Sequence, residues 1–183
     1  MNGRVVVRLP TMRFACDDAL VSAQEVTAED IDFAVVAYRE DGRWVVSSLP
    51  PQGVTTMEGL VTRMRQLPGE GGVFGILAVG DEFFILAHTV PDGERIMISD
   101  AAALLDWSIA EEAAERIGLE WDEDDIEEFE AAGDVSLCEA FGLDGAELVM
   151  ICEDEEMYPD EQVRAIAKRL GFAAELATAI RGR

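Results

Sequence analysis

The chain holds one histidine, His88, and three cysteines, Cys16, Cys138 and Cys152, which narrowly bounds any chemistry that depends on either residue. A single imidazole excludes His-rich metal sites and disfavours a His-dependent catalytic triad. His88 ends the apolar run Phe83-Phe84-Ile85-Leu86-Ala87, and that setting assigns it a structural role. No two cysteines form a Cys-x-x-Cys pair, so a zinc site or disulfide framework is disfavoured and a reducing compartment is favoured. Cys152 is followed by Glu153, Asp154, Glu155 and Glu156. Those charges raise a thiol pKa, so Cys152 reads as a small buried apolar residue and a poor nucleophile. The glycine-rich stretch Gly69-Glu70-Gly71-Gly72-Val73-Phe74-Gly75 lacks the Gly-Lys-Ser/Thr of a phosphate loop and precedes a strand where such loops precede a helix, so it reads as a turn. No catalytic residue, cofactor-binding residue or metal ligand set emerges.

The remaining chemistry is that of carboxylates. Between Glu120 and Glu130 eight of eleven residues are acidic and none is basic. The tract does not make a calcium-binding EF-hand loop. Asp122 and Asp124 have the first two ligand spacings, but Ile126 and Glu127 follow where the loop requires an oxygen ligand and then glycine. Carboxylate pairs suited to hydrolysis could be drawn almost anywhere in so acidic a chain and carry no information. Asp122, Asp124, Asp125, Glu127 and Glu128 are the candidate partner-facing residues. The formal charge is −24 over 183 residues, and it is uneven: −7 over residues 1–100 and −17 over 101–183. Such a field repels phosphate backbones, which disfavours direct nucleic-acid binding and makes a basic protein the natural partner. Solubility alone would also account for the acids. No apolar run approaches the roughly 18 residues of a membrane span, and Val5-Val6-Val7 is too short for a signal-peptide core. The expected location is cytoplasmic.

The elements that would position these residues read as an α+β chain. Residues 1–30 show neither helix nor strand period and are expected to form a loosely ordered extension, with Met12 an alternative start. Phe33–Tyr38 and Arg43–Ser48 are rich in β-branched and aromatic residues, and Asp41-Gly42 between them suits a type I′ hairpin turn. After Pro50-Pro51 and Gly53, Thr55 or Thr56 can cap a helix to Gln66 with Leu60, Met64 and Leu67 on one face. Strands follow at Val73–Val79, Glu82–His88 and Arg95–Ile98. Ser99 or Asp100 then begins a long helix ending at Ile117, with Gly118 as terminator. Leu104, Leu105, Ile109, Ala113 and Ile117 should face the sheet, and Glu111, Glu112 and Glu115 water. The expectation is a five-stranded antiparallel sheet in ββαβββα order with helices on one face, over residues 31–118. The order also occurs in profilin-like and roadblock-like regulatory modules, which does not establish function.

Residues 119–133 read as an acidic hinge, with Ile126 and Phe129 docked by a short helix. Residues 134–183 read as a cluster of short helices: Val135–Phe141 closed by Gly142, one opened by Asp144, one opened by Pro159 and stopped by Gly171, and a last one from Phe172 to Ile180.

Within this C-terminal part, Val135-Ser136-Leu137-Cys138-Glu139-Ala140-Phe141-Gly142-Leu143, Glu147-Leu148, Ile151-Cys152-Glu153 and Pro159 through Gly171-Phe172 resemble the actinobacterial tRNA adenosine deaminase-associated proteins. The resemblance extends over roughly residues 31–180, and that family typically carries an acidic tract between its halves. It implies a non-enzymatic protein associated with, and regulating, the deaminase that converts the wobble adenosine of tRNA to inosine. It carries no catalytic residues to this chain. The chain is not the deaminase, whose chemistry needs His-x-Glu and Pro-Cys-x-x-Cys to hold zinc and shuttle protons; here His88 is followed by Thr89-Val90. The alternatives are an acidic inhibitor or nucleic-acid mimic that occupies a partner's basic groove, and an oligomerising regulatory module.

Overall fold

In a computed structural model that describes residues 23–181, β-branched and aromatic runs form β1 (Ile31–Glu40), β2 (Arg43–Ser48), β3 (Val73–Val79), β4 (Phe83–Val90) and β5 (Gly93–Ile98). A sixth strand, β6 (Ala132–Gly133), follows the acidic tract and pairs with β5. The sheet is antiparallel in the order β2-β1-β3-β4-β5-β6. It therefore has six strands where five were expected. A two-residue strand containing Gly133 has no side-chain alternation to reveal it.

The predicted turn chemistry holds. Asp41 and Gly42 lie at φ +50° and +72° and join β1 to β2, while Gly80 and Asp81 do the same for β3 and β4 at +62° and +55°. Helix α1 (Met57–Arg65) is capped by Thr56, whose Oγ1 accepts from the Gly59 N–H at 3.1 Å. A second acceptor came from outside sequence reach: Glu112 takes the Met57 N–H at 2.7 Å and thereby satisfies another donor at the helix start.

The long helix expected up to Ile117 is broken into α2 (Ala103–Asp106) and α3 (Ser108–Ile117). Trp107 between them is extended at φ −124°, ψ 121°. Its indole N–H donates to Glu82 at 2.8 Å, and its ring is buried beside Phe83. The flanking backbone pairs with Gln24, which donates to the Asp106 carbonyl and accepts from the Ser108 N–H. Tertiary pairing thus overrides a sequence with no internal helix breaker. The break also rephases the helix face, so Leu105 is exposed where a core position was expected, and Trp107 takes its place inside. Of the N-terminal extension, residues 1–22 lie outside the described residues. Within residues 23–30, Gln24 makes this bridge, Val26 is buried, and Thr27 bonds Asp30.

Helices α1 and α3 share one face of the sheet, as expected. The helices α4 (Gly145–Cys152), α5 (Pro159–Leu170) and α6 (Ala173–Arg181) cover the other. Leu148, Val163, Ile166, Leu170, Phe172 and Leu176 pack there on Val35, Phe74, Ile76, Phe84 and Leu86. Strand residues on both faces are consequently buried, and β3 reads as a continuous apolar run without alternation. Val135–Phe141 forms only a 3-10 turn at Glu139–Phe141, closed by Gly142 at φ +96°. Asp144 caps α4 through the Glu147 N–H at 3.0 Å, and Pro159 and Gly171 bound α5.

Candidate functional site

A cleft of about 460 Å³ opens at the end of the sheet where β3 turns into β4 and β5 ends. Three parts of the chain build it: the Asp81-Glu82 turn with Ser99 and Asp100, the end of the acidic tract at Glu128 and Phe129, and the α4–α5 connection from Glu155 to Pro159. Asp81, Glu82, Asp100, Glu128, Glu155 and Glu156 supply six carboxylates, and none of the lining residues is basic. None of the six enters an ion pair among the described residues.

Local bonding fixes the walls. The Asp81 N–H donates to Asp32 at 2.8 Å, and Ser99 Oγ accepts from the Phe84 N–H at 2.9 Å. Asp100 accepts from the Ala102 N–H at 2.9 Å and also from the Phe129 N–H. Burial raises the Asp100 carboxyl above its ordinary value. Those two N–H groups oppose the rise, and Glu128 and Glu82 add to it. The Ala101 N–H donates to the Glu130 carbonyl at 2.7 Å and pins the end of the acidic tract to the start of α2. On the far wall, Asp154 accepts from the N–H groups of Glu156 and Met157, and the Tyr158 N–H donates to Glu161 at 3.1 Å. Gln162 is buried in the floor, where its Nε2 donates to the Cys152 carbonyl at 2.9 Å.

Two aromatic side chains stay open to solvent at the cleft: Phe129, 43% exposed, and Tyr158, 65% exposed. Phe129 stands at φ +63°, a region that bulky L-residues rarely adopt. The short helix expected to dock Ile126 and Phe129 together is absent. The 3-10 turn covers Glu123–Asp125, capped by Asp122 through the Asp124 N–H, and the chain is extended by Ile126. Trp121 and Ile126 pack on the α1/α3 side of the core, and Phe129 turns away into the cleft.

Asp122, Asp124, Asp125, Glu127 and Glu128 are all exposed, but only Glu128 lines the cleft. Its other carboxylates come from distant parts of the chain. The signal available for them was Glu155-Glu156 just before Tyr158 and the Asp81-Glu82 hairpin, neither conspicuous in so acidic a sequence.

Cys152 and Ser99 line the cleft, but the thiol is poorly placed to ionise. The Cys152 thiol is pushed up to about 12, by burial first and then by Glu153. The sequence pointed to the neighbouring charges as the cause, but burial outweighs them. Cys138 is likewise pushed up to about 12 by burial; Cys16 lies outside the described residues. Among those residues no group of His, Cys, Asp and Glu is arranged to hold a metal ion.

His88, at the opposite end of the sheet, has the structural setting its sequence position indicated. Its ring stacks on Phe74 at 4.4 Å and meets Phe141 edge-on at 5.2 Å, with Nε2 3.0 Å from the Gly71 carbonyl. Burial holds its pKa below the ordinary value, against the pull of that hydrogen bond.

The fold defines an acidic α+β protein whose one antiparallel sheet is covered by helices on both faces. The chain is a member of the Rv3753c-like tRNA adenosine deaminase-associated protein family, whose model matches residues 32–173. It is 38% identical over 162 residues to Protein Rv3753c of Mycobacterium tuberculosis (strain ATCC 25618 / H37Rv), covering 87% of this chain and 94% of that protein. No solved structure matches. Among the described residues no helix is long and apolar enough to cross a membrane.

Proposed function

We propose that this protein is a non-catalytic partner of a tRNA adenosine deaminase and regulates it by binding its basic, RNA-facing side. The family description names the association. The observation that carries the reading to this chain is the cleft, where six carboxylates meet with no cation among the lining residues. An enzyme that handles tRNA carries positive charge for phosphates, and an acidic partner complements it in encounter and register. The buried cysteine thiols and the absence of a zinc-deaminase motif fit a binding role.

Co-purification of the cognate deaminase with this protein at moderate salt tests the reading. A complex that weakens as salt rises, together with altered wobble-adenosine editing in a deletion strain, is the expected result. No complex at any salt, with unchanged editing, would sink it.

A further inference from the structure

We infer that the cleft is a receptor for an arginine side chain carried on an apolar segment of the protein partner. This deepens the reading of the chain as a protein-binding partner and rests on it. Four features of the cleft select that occupant. Its carboxylates have no cationic partner among the described residues, although Glu82 accepts from the Trp107 indole and Asp100 from two backbone N–H groups; the arginines that form ion pairs do so elsewhere, as Arg95 does with Asp134 and Arg164 with Asp160. Its floor holds acceptors. Gln162, 5% exposed, lines it and donates from Nε2 to the Cys152 carbonyl, and its amide oxygen is an acceptor by its chemistry. Its rim holds two exposed π faces, Phe129 and Tyr158, two of the four large apolar side chains left open among the described residues. Finally, the room is about 460 Å³, larger than one side chain needs, so an adjoining apolar residue of the partner has space beside the aromatic rim.

A guanidinium presents five N–H donors and no acceptor, matches carboxylates in a fork, and stacks on aromatic faces. A lysine ammonium supplies the charge but neither the fork nor the flat stacking surface. A phosphate or nucleic-acid segment is repelled by every charged group present. A bare divalent cation would leave Phe129 and Tyr158 without a role.

The test is a 15N NMR titration of the full chain with acetyl-Gly-Leu-Arg-Leu-Gly-amide and with its lysine counterpart. Shift changes should centre on the Gln162 side-chain amide and on the backbone N–H groups of Ala102, Phe129 and Met157. The arginine peptide should bind about tenfold more tightly than the lysine one. The variant E128Q/E155Q/E156Q, changed only at exposed positions, should weaken it about tenfold. Equal binding of the two peptides, or shifts scattered over the acidic surface, would overturn the inference. Capture of the cognate deaminase separates the two levels. Capture by the triple variant as strong as by wild type removes the cleft's role and leaves the association standing. No capture by wild type, with the arginine peptide still mapped to the cleft, removes the association and leaves the receptor.

Discussion

The two ends of the sheet hold similar ingredients and use them in opposite ways. At the end where β1 runs out and β3 begins, an arginine, a histidine and four aromatic rings close on one another. Arg39 lies 4.9 Å over Trp44 and 5.7 Å over Phe141. Trp44 packs against Phe172 at 4.9 Å and donates its indole N–H to the Leu170 carbonyl at 3.0 Å, tying the α5–α6 junction to the edge strand. His88 is sealed between Phe74 and Phe141. At the other end, six carboxylates and two aromatic residues surround open space. In the first, Arg39 and the aromatic rings lie against one another, although Arg39 Nε and His88 Nδ1 are buried with no hydrogen-bond partner among the described residues. In the second, acidic and aromatic side chains line the cleft with no basic one beside them. On the function proposed above, the second end is the one that meets a partner.

Substitutions at the two ends should therefore separate stability from binding. The largest effect is expected at Phe172, fully buried among the closed-end aromatics and α5. Phe172→Ala should cost about 3–5 kcal/mol by denaturant unfolding, whereas Phe129→Ala at the open end should stay within about 0.5 kcal/mol while weakening partner capture. Similar losses for the two would erase the distinction. Next comes Gly72→Ala. Gly72 sits at φ +99°, and an added Cβ would lie 2.2 Å from the Thr89 carbonyl oxygen and 2.5 Å from His88 Nε2. A loss of about 2–4 kcal/mol is expected, since backbone strain and a backbone clash combine.

The single histidine provides a titration of the closed end. Its folded pKa lies below the ordinary histidine value of 6.5 because of burial. The unfolded chain then binds the proton more readily, so the His88 contribution to stability is complete above 6.5 and lost as pH falls through the lower folded value. His88→Gln should flatten that part of the stability profile, and ring 15N shifts should show wild-type His88 more than half neutral at pH 6.5. Asp100 at the open end has the reverse sign. Its raised carboxyl keeps a proton in the folded state that the unfolded chain has released, so its contribution to stability declines as pH rises from 3.8. Asp100→Asn should remove that decline in the same measurement.

A modest effect is expected of Asp134→Asn. Burial alone would lift this carboxyl, but its bonds to Arg95 and Ser136 hold it below the ordinary 3.8. Its stabilisation is present above 3.8 and lost as pH falls through the folded value. The group is about one-third exposed, so about 1 kcal/mol is expected at neutral pH after screening.

What the sequence made legible was the part with local causes. Asp41-Gly42 and Gly80-Asp81 fixed two hairpins through backbone conformation, and Thr56, Asp144, Pro159 and Gly171 bounded helices through capping. The element order followed directly. What escaped needed partners distant in the chain. The break at Trp107 depends on Gln24 and Glu82, neither near it in sequence. The continuous burial of β3 signals cover on both faces, but only packing reveals that α4–α6 supply the second cover. The acidic tract drew attention by density, yet only Glu128 of its five named candidates reaches the cleft. The other cleft carboxylates are assembled from hairpin, strand end and helix connection, a grouping that no linear spacing encodes.

On the function proposed above, the open end faces the partner and the closed end does not. Backbone hydrogen exchange of this protein, free and in complex with its cognate deaminase, tests it most directly. Protection gained at Asp100–Ala102, Glu128–Phe129 and Glu155–Tyr158, with no change at Arg39, Gly71–Gly72 or His88, is the result predicted. Protection centred on the closed end, with the cleft unchanged, would contradict it.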